Sequence, residues 1–186
     1  EFAEFKLPWG VRYALVVVLG YSRLLWFKFY SRQTMAVLMA GLEEAFAAFG
    51  GVPRELLFDQ LKAVVIDDER SSGGKLLENP QFQRFAAHWG FRIRACRPYR
   101  AKTKGKVERP IGYVRQAFFY GRTFISDGDL DGQRAAWLDG TANRRLHRTV
   151  GERPDERFIR DERAQLQPLA AHPYRPPNAA IGVAPG

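Results

Sequence analysis

The sequence is poor in the residues that form covalent or metal-based cross-links. Its 186 residues include one cysteine, Cys96, and three histidines. A single cysteine cannot form an internal disulfide, and so few cysteines and histidines do not make a structural zinc site. A disulfide-rich secreted domain and a zinc module are therefore excluded, and the cysteine count fits a reducing cytoplasm.

Long apolar runs and acidic residues are also scarce. No run approaches the roughly 20 apolar residues that cross a bilayer, so we expect no membrane insertion. The first residues lack the basic and then apolar order of a signal peptide. Lysine and arginine number 29 against 20 acidic residues, which gives a net charge of +9. That balance favours a polyanionic partner, either a nucleic acid or an anionic membrane surface.

Hydrophobic residues make up 46% of the chain and aromatic residues 13%, as in a folded globular protein. Periodicity predicts strands at residues 2–7, Val11–Leu19, Leu24–Tyr30, Glu55–Phe58 and Phe91–Ala95. It predicts helices at Gln33–Phe49, Pro80–Trp89, 106–120, 127–147 and 152–163. Residues 60–79 have a less regular composition, and the acidic trio Asp67, Asp68 and Glu69 is predicted to lie in a solvated loop.

This order of elements predicts an RNase H-like α/β fold. Three strands form an antiparallel meander, and two more strands, each reached through a helix, extend it into a mixed five-stranded sheet flanked by helices. Extra helices and an irregular tail rich in proline and alanine follow. The predicted domains are a core over residues 1–160 and a linker or truncated C-terminal extension over residues 161–186.

One strongly basic segment, Gly90–Arg115, contains nine basic residues and a single acid, Glu108. A carboxylate placed where phosphates would bind indicates a divalent metal ligand. The alternative is an ion pair between Glu108 and Lys104 or Arg109 on a solvated helix face. The charge pattern alone leaves both interpretations open.

The remaining candidates favour structural roles. His88 lies beside a tryptophan in a helix and fits a surface position. Cys96 fits an inert, half-buried thiol. The sequence offers no Ser–His or Cys–His pattern for a protein nucleophile.

Three segments resemble the integrase core of IstA-type transposases from bacterial insertion sequences, within the retroviral-integrase superfamily. They are LLFDQLKAVV, then NPQFQRFAAHWGFRIRACRPYRAKTKGKVERPIGYVRQAFF, then ANRRLHRTVGERPDERF. The resemblance covers roughly residues 1–160. It implies the RNase H-like fold and metal-dependent cleavage and joining of DNA.

The family holds Mg²⁺ or Mn²⁺ with two aspartates and a glutamate, and the resemblance assigns those roles by position. Asp59 matches the second aspartate and Glu108 matches the glutamate. Glu1 stands where the first aspartate is expected, with Glu4 a weaker candidate. Because glutamate is one methylene longer than aspartate, this departure predicts impaired catalysis in a site that holds two metal ions.

The resemblance also implies partners. Transposon ends and target DNA would contact the basic residues Arg97, Arg100, Lys102, Lys104, Lys106 and Arg109. Full-length family members act as homo-oligomers with an AAA+ ATPase helper, in the bacterial cytoplasm.

Three functions follow from these observations. The first is the catalytic core of a DNA transposase that cleaves phosphodiesters and transfers strands at transposon ends. The second is a non-catalytic DNA-binding or assembly module with the same fold. The third is an RNase H-like nuclease unrelated to transposition, which the family-like segments disfavour.

Overall fold

A computed structural model describes residues 1–58, 65–68, 76–96 and 109–177. Its first sheet is an antiparallel meander of β1 (Phe2–Leu7), β2 (Gly10–Val18) and β3 (Leu25–Tyr30), as the sequence predicts. The side chains of β2 alternate between the two faces of this sheet. Ala14 and Val16 join one hydrophobic cluster, and Leu15 joins the other.

Helices cover both faces of the meander. Helix α1 (Met35–Phe49) begins after its N-cap Thr34 and ends at Gly50, and α2 (Pro80–Trp89) is capped by Asn79. Both contribute to the cluster that contains Leu15. The inward residues predicted for α2 are confirmed, since Phe82, Phe85, Ala86 and Trp89 are all buried.

The opposite face is covered by the C-terminal half of the chain. Helix α3 comprises helical residues 109–113 and a π-helical segment, Val114–Phe119. Helix α4 comprises Asp127–Trp137 and a π-helical turn, Leu138–Ala142. A last helical stretch, α5, comprises Pro154–Arg157 and Phe158–Glu162.

The predicted helix over residues 127–147 is too long, because helical structure ends at Ala142. The next residue, Asn143, is bound through its side chain to the meander. Its amide nitrogen donates to the carbonyl of Leu25 at 2.9 Å, and its amide oxygen accepts from the Leu25 nitrogen at 2.8 Å. Arg134 of α4 reaches the same strand, where Nη1 donates to the carbonyl of Phe27 at 3.0 Å.

The other strands form two pairs. β4 (Glu55–Phe58) runs parallel to β7 (Arg92–Ala95), as expected for strands joined through a helix. β5 (Val65–Asp68) and β6 (Leu76–Glu78) form an antiparallel hairpin. Among the described residues, the strands form three separate hydrogen-bonded groups: β1, β2 and β3, then β4 with β7, then β5 with β6. The joining of five strands in one sheet therefore stays a prediction.

The hairpin corrects the loop predicted for residues 60–79. Asp67 and Asp68 lie in β5, paired with Leu77 and Leu76, whereas Glu69 lies outside the described residues. Two strands of four and three residues are too short for alternation to reveal them.

The first part of the predicted tail packs on the domain. Val52 and Gln167 exchange two backbone hydrogen bonds of 2.8 Å, and Tyr174 makes an edge contact with Phe85. The division of the chain at residue 160 stays a prediction.

Two helical glycines give opposite predictions for stability. A Cβ at Gly41 of α1 would lie 2.6 Å from Cδ2 of the buried Leu15, so Gly41→Ala should destabilise by about 1–3 kcal/mol. A Cβ at Gly132 of α4 would meet nothing within 4 Å, so Gly132→Ala should stabilise by about 0.5–1 kcal/mol. Urea denaturation of both variants checks the prediction, and a stability loss in Gly132→Ala would contradict it.

Candidate active site

A cleft of about 220 Å³ lies between β2 and β4, and we call it the β2–β4 cleft. Its floor is apolar and includes Leu15, Val17, Leu42 and Leu56. Apolar walls lower the local dielectric constant, which strengthens electrostatic interactions at the charged groups beside them. Charged residues also line the cleft, namely Glu1, Arg23 and Glu55.

Glu1 is positioned by its backbone. Its nitrogen donates to the carbonyl of Val16 at 3.1 Å, and its carbonyl accepts from the Val16 nitrogen at 2.9 Å. These bonds extend the pairing of β1 and β2 and fix a half-buried Glu1 at the cleft.

Asp59 lies outside the described residues, but the residue before it is well defined. Phe58 lines the cleft at the end of β4, and its carbonyl accepts from the Cys96 nitrogen at 2.9 Å. Its buried ring meets Phe82 of α2 edge to face, with centroids 5.2 Å apart. β4 therefore ends at the cleft, held there by β7 and α2.

Glu108 also lies outside the described residues. Arg109, which follows it, is exposed, and Pro110 lines the cleft in the first described turn of α3. The cleft thus brings Glu1 together with the described chain neighbours of both other predicted acids.

Glu55 was not among the predicted site residues. It forms ion pairs with Arg92 at 2.7 Å and Arg94 at 3.0 Å on the adjacent strand β7. The hydrogen bond from Arg94, reinforced by the positive charges of both arginines, lowers the pKa of Glu55. The Glu55 carboxylate therefore has a structural role, because its ion pairs join β4 to β7. The sequence did contain a signal for these ion pairs. Glu55 lies on one predicted strand, and two arginines occupy alternate positions of another.

Arg23 was missed as well. The predicted turn at residues 20–23 is present, but its left-handed residue is Arg23, with φ of 66°, where glycine would be expected. The turn is held to α5, because the backbone nitrogens of Tyr21 and Ser22 donate to the Glu162 carboxylate at 3.3 and 3.1 Å. The fixed turn holds Arg23 at the cleft.

The same turn is also attached through a side chain. The Tyr21 hydroxyl donates to Asp161 at 2.7 Å. Hydrogen bonds from Arg160 and then Tyr21 lower the pKa of Asp161 to about 2. Asp161 is thus an ionised partner of the turn at neutral pH.

Of the predicted DNA contacts, Arg109 alone is described, and it is exposed. The others, Arg97, Arg100, Lys102, Lys104 and Lys106, lie outside the described residues. His88 makes a structural contact, with its Nε2 2.7 Å from the carbonyl oxygen of His172. Cys96 is buried.

Within the described ranges, no cluster of three or more His, Cys, Asp or Glu residues could hold a metal ion. None of the described helices is long and apolar enough to cross a membrane.

Comparison with known proteins identifies the fold. The HTLV-2 integrase catalytic core domain, solved in complex with magnesium, superposes with a TM-score of 0.59 at 14% identity. The superposition covers 84% of this chain and 91% of that one. The mixed α/β fold predicted from the order of elements is therefore confirmed as that of retroviral integrase catalytic cores.

Two bacterial relatives are closer in sequence. The chain is 37% identical over 155 residues to the transposase for insertion sequence element IS21 of Pseudomonas aeruginosa. It is 39% identical over 117 residues to the transposase for IS640 of Shigella sonnei. These alignments cover 83% and 62% of this chain, but 39% and 36% of the relatives. The chain thus spans about two fifths of the length of these two transposases.

A family model described as "Integrase core domain" matches residues 1–101, more than half of the chain. That range includes β1–β4, Asp59 and β7, but it ends before Glu108. Together with the retroviral fold and the bacterial transposase relatives, this match shows that the chain belongs to the integrase core domain family.

Proposed function

We propose that this chain is the catalytic core of a DNA transposase that cleaves phosphodiesters and transfers strands at transposon ends. The observation that carries the proposal is the convergence at the β2–β4 cleft. Glu1, Phe58 and Pro110 all line it, and the last two lie one and two positions from Asp59 and Glu108. The transposases that resemble this chain support the same reaction.

The donor set fits a divalent cation. Glu1, Asp59 and Glu108 offer only carboxylate oxygens, which are the ligands that Mg²⁺ and Mn²⁺ prefer. Magnesium is bound by the HTLV-2 core of the same fold. When bound, the metal would activate the attacking oxygen and stabilise the leaving oxygen of the phosphodiester.

The chain's own residues bind and orient the DNA. Arg23 lines the cleft and Arg109 is exposed beside Pro110, so both can approach a phosphate held near Glu1. The basic residues between 97 and 106 would extend this contact along the phosphate backbone of the DNA.

A second candidate is a non-catalytic DNA-binding or assembly module. It is favoured by one observation, the glutamate at position 1 where the family pattern has aspartate. The extra methylene moves the carboxylate oxygens, and a site with two metal ions roughly 4 Å apart tolerates little displacement.

The wider assembly is part of the proposal. We expect the full-length protein to act in the bacterial cytoplasm as a homo-oligomer on paired DNA ends, with an AAA+ ATPase helper. Sequence recognition would reside outside this core, so the core alone should bind DNA with little sequence preference.

Calorimetric titration with Mn²⁺ tests the proposed site. We expect binding to the chain and its loss in Asp59→Asn, because that variant removes one ligand. Asp139→Asn is the matched control, since it removes an exposed carboxylate that does not line the cleft. Binding only after Glu1→Asp would support the non-catalytic candidate for the present sequence. No binding to either form would overturn the metal-dependent function.

A further inference from the structure

Residues 144–148, which we call the arginine loop, read Arg-Arg-Leu-His-Arg and follow α4. Arg144 and Arg148 are exposed, and Arg145 is half-buried. Among the described residues, none of the three arginines forms an ion pair with a carboxylate. The loop therefore presents positive charge that is not directly paired, although Arg144 lines a pocket together with Asp139 and Asp155.

The arginines just after the loop are arranged differently. Arg153 pairs with Asp155 at 2.8 Å. Arg157 and Arg160 share Glu152 at 3.2 and 2.6 Å. Nearby carboxylates thus neutralise Arg153, Arg157 and Arg160, whereas Arg144 and Arg148 remain available to an external anion.

The arginine loop lies beside the β2–β4 cleft. Arg144 lines a pocket together with Leu24, which follows Arg23 directly in the chain. Burial, and then the positive charges of Arg145 and Arg23, lower the pKa of His147, in agreement with this arrangement. Arg23 in turn lines the cleft together with Glu1. Positive charge therefore extends from the cleft to the arginine loop through Arg23.

The arginine loop is anchored at both ends. At its start, Asn143 binds Leu25 of β3, and the Asn143 carbonyl accepts from the Asp155 nitrogen at 3.0 Å. Further along, the His147 nitrogen donates to the carbonyl of Glu152 at 3.0 Å. A loop held in this way loses little conformational entropy when it binds a ligand.

Two side chains shape the exposed surface of the loop. The guanidinium of Arg145 lies 3.8 Å from the centroid of the Tyr113 ring, which fixes its direction. Leu146 is 72% exposed between the arginines. An apolar side chain flanked by cations suits a DNA groove, where the cations bind phosphates and the apolar group contacts sugars or bases.

We propose that the arginine loop and Arg23 bind the phosphate backbone of duplex DNA as it leaves the β2–β4 cleft. This inference rests on the proposed function and adds a second contact surface to the basic segment of residues 97–109. The arginine loop would set the direction in which the duplex leaves the cleft.

Fluorescence anisotropy with a labelled duplex of unrelated sequence tests the proposal at several salt concentrations. The double variant Arg144→Gln/Arg148→Gln should bind about tenfold more weakly at 0.1 M salt or below, with a salt slope reduced by about 2. Arg32→Gln/Arg84→Gln is the matched control. It removes the same charge from two exposed arginines that form no ion pair among the described residues. Circular dichroism confirms that both variants are folded.

The outcomes separate the two proposals. A loss of duplex affinity in Arg144→Gln/Arg148→Gln but not in the control supports binding of DNA by the arginine loop. Equal losses in both double variants would indicate a general charge effect and overturn it. Wild-type affinity in the loop variant would also overturn it and leave the loop to an acidic protein partner. No DNA binding by the wild-type chain would overturn the proposed function itself.

Cross-linking gives an independent readout of position. A photoactivatable group on Leu146→Cys should cross-link to duplex DNA. The same group on Ile125→Cys should not, although Ile125 is 81% exposed in another loop. Wild-type protein treated with the same reagent controls for labelling of Cys96, which is buried. Equal yields from both positions would contradict a DNA path over the arginine loop.

Discussion

Replacing Glu108 by glutamine should reduce metal-dependent DNA cleavage by about 10³-fold or more. A metal ion contributes several kcal/mol of transition-state stabilisation, and each 1.36 kcal/mol corresponds to a factor of about ten in rate. Nicking of a supercoiled plasmid in Mn²⁺ measures the effect without requiring a specific transposon end. Because glutamine keeps the size of the side chain, binding of uncleaved DNA should change little.

Glu156→Gln is the matched control for this experiment. Its exposed carboxylate pairs with Arg153 at 3.2 Å in α5 and does not line the cleft. Nicking by Glu108→Gln at the rate of this control would contradict the assignment of Glu108. If the unmodified chain is inactive, the comparison is made in the Glu1→Asp background, where the expected aspartate is restored.

Replacing Phe82 by alanine should destabilise the domain by about 3–5 kcal/mol. The Phe82 ring is fully buried in α2, and it contacts Phe58, Phe85 and Phe91 with centroid distances of 5.2, 5.6 and 6.0 Å. A cavity there would be enclosed by rings that cannot collapse into it. Domains are stable by only about 5–15 kcal/mol, so this is a large fraction of the total. The midpoint temperature of thermal unfolding should fall by roughly 10 °C.

Tyr120→Ala provides the aromatic control, because Tyr120 is 55% exposed. Its removal should change the unfolding free energy by about 0.5 kcal/mol or less. An equal effect of both substitutions would contradict the view that the Phe82 cluster stabilises this face of the domain. Since Phe82 packs on Phe58 at the end of β4, Phe82→Ala should also weaken Mn²⁺ binding.

Local patterns in the sequence were enough to predict the layers of the fold. Strand β2 is apolar on both faces because helices cover both, and that produced an almost unbroken apolar run from Tyr13. The α2 helix was predictable because Asn79, Pro80 and Gly90 mark its ends and Phe82, Phe85 and Trp89 share one face. These features depend on neighbours within a few residues.

The missed features depend on contacts between distant parts of the chain. Asn143 ends α4 because its side chain binds Leu25, 118 positions earlier, and no local signal reveals that partner. Arg23 became a cleft residue because α5 holds its turn. The metal-ligand roles predicted for Asp59 and Glu108 came from resemblance to a family, since charge pattern alone left Glu108 with two interpretations.

The side chains bound to β3 also govern how copies of this domain can meet. The outer edge of an antiparallel sheet offers unpaired backbone groups to which another strand can add, and this leads to aggregation. Here both polar backbone groups of Leu25 are bound by Asn143, and the carbonyl of Phe27 is bound by Arg134. That edge is closed to a second strand at these positions. A second copy of the domain would therefore have to contact this part of β3 through side-chain surfaces and not by adding a strand.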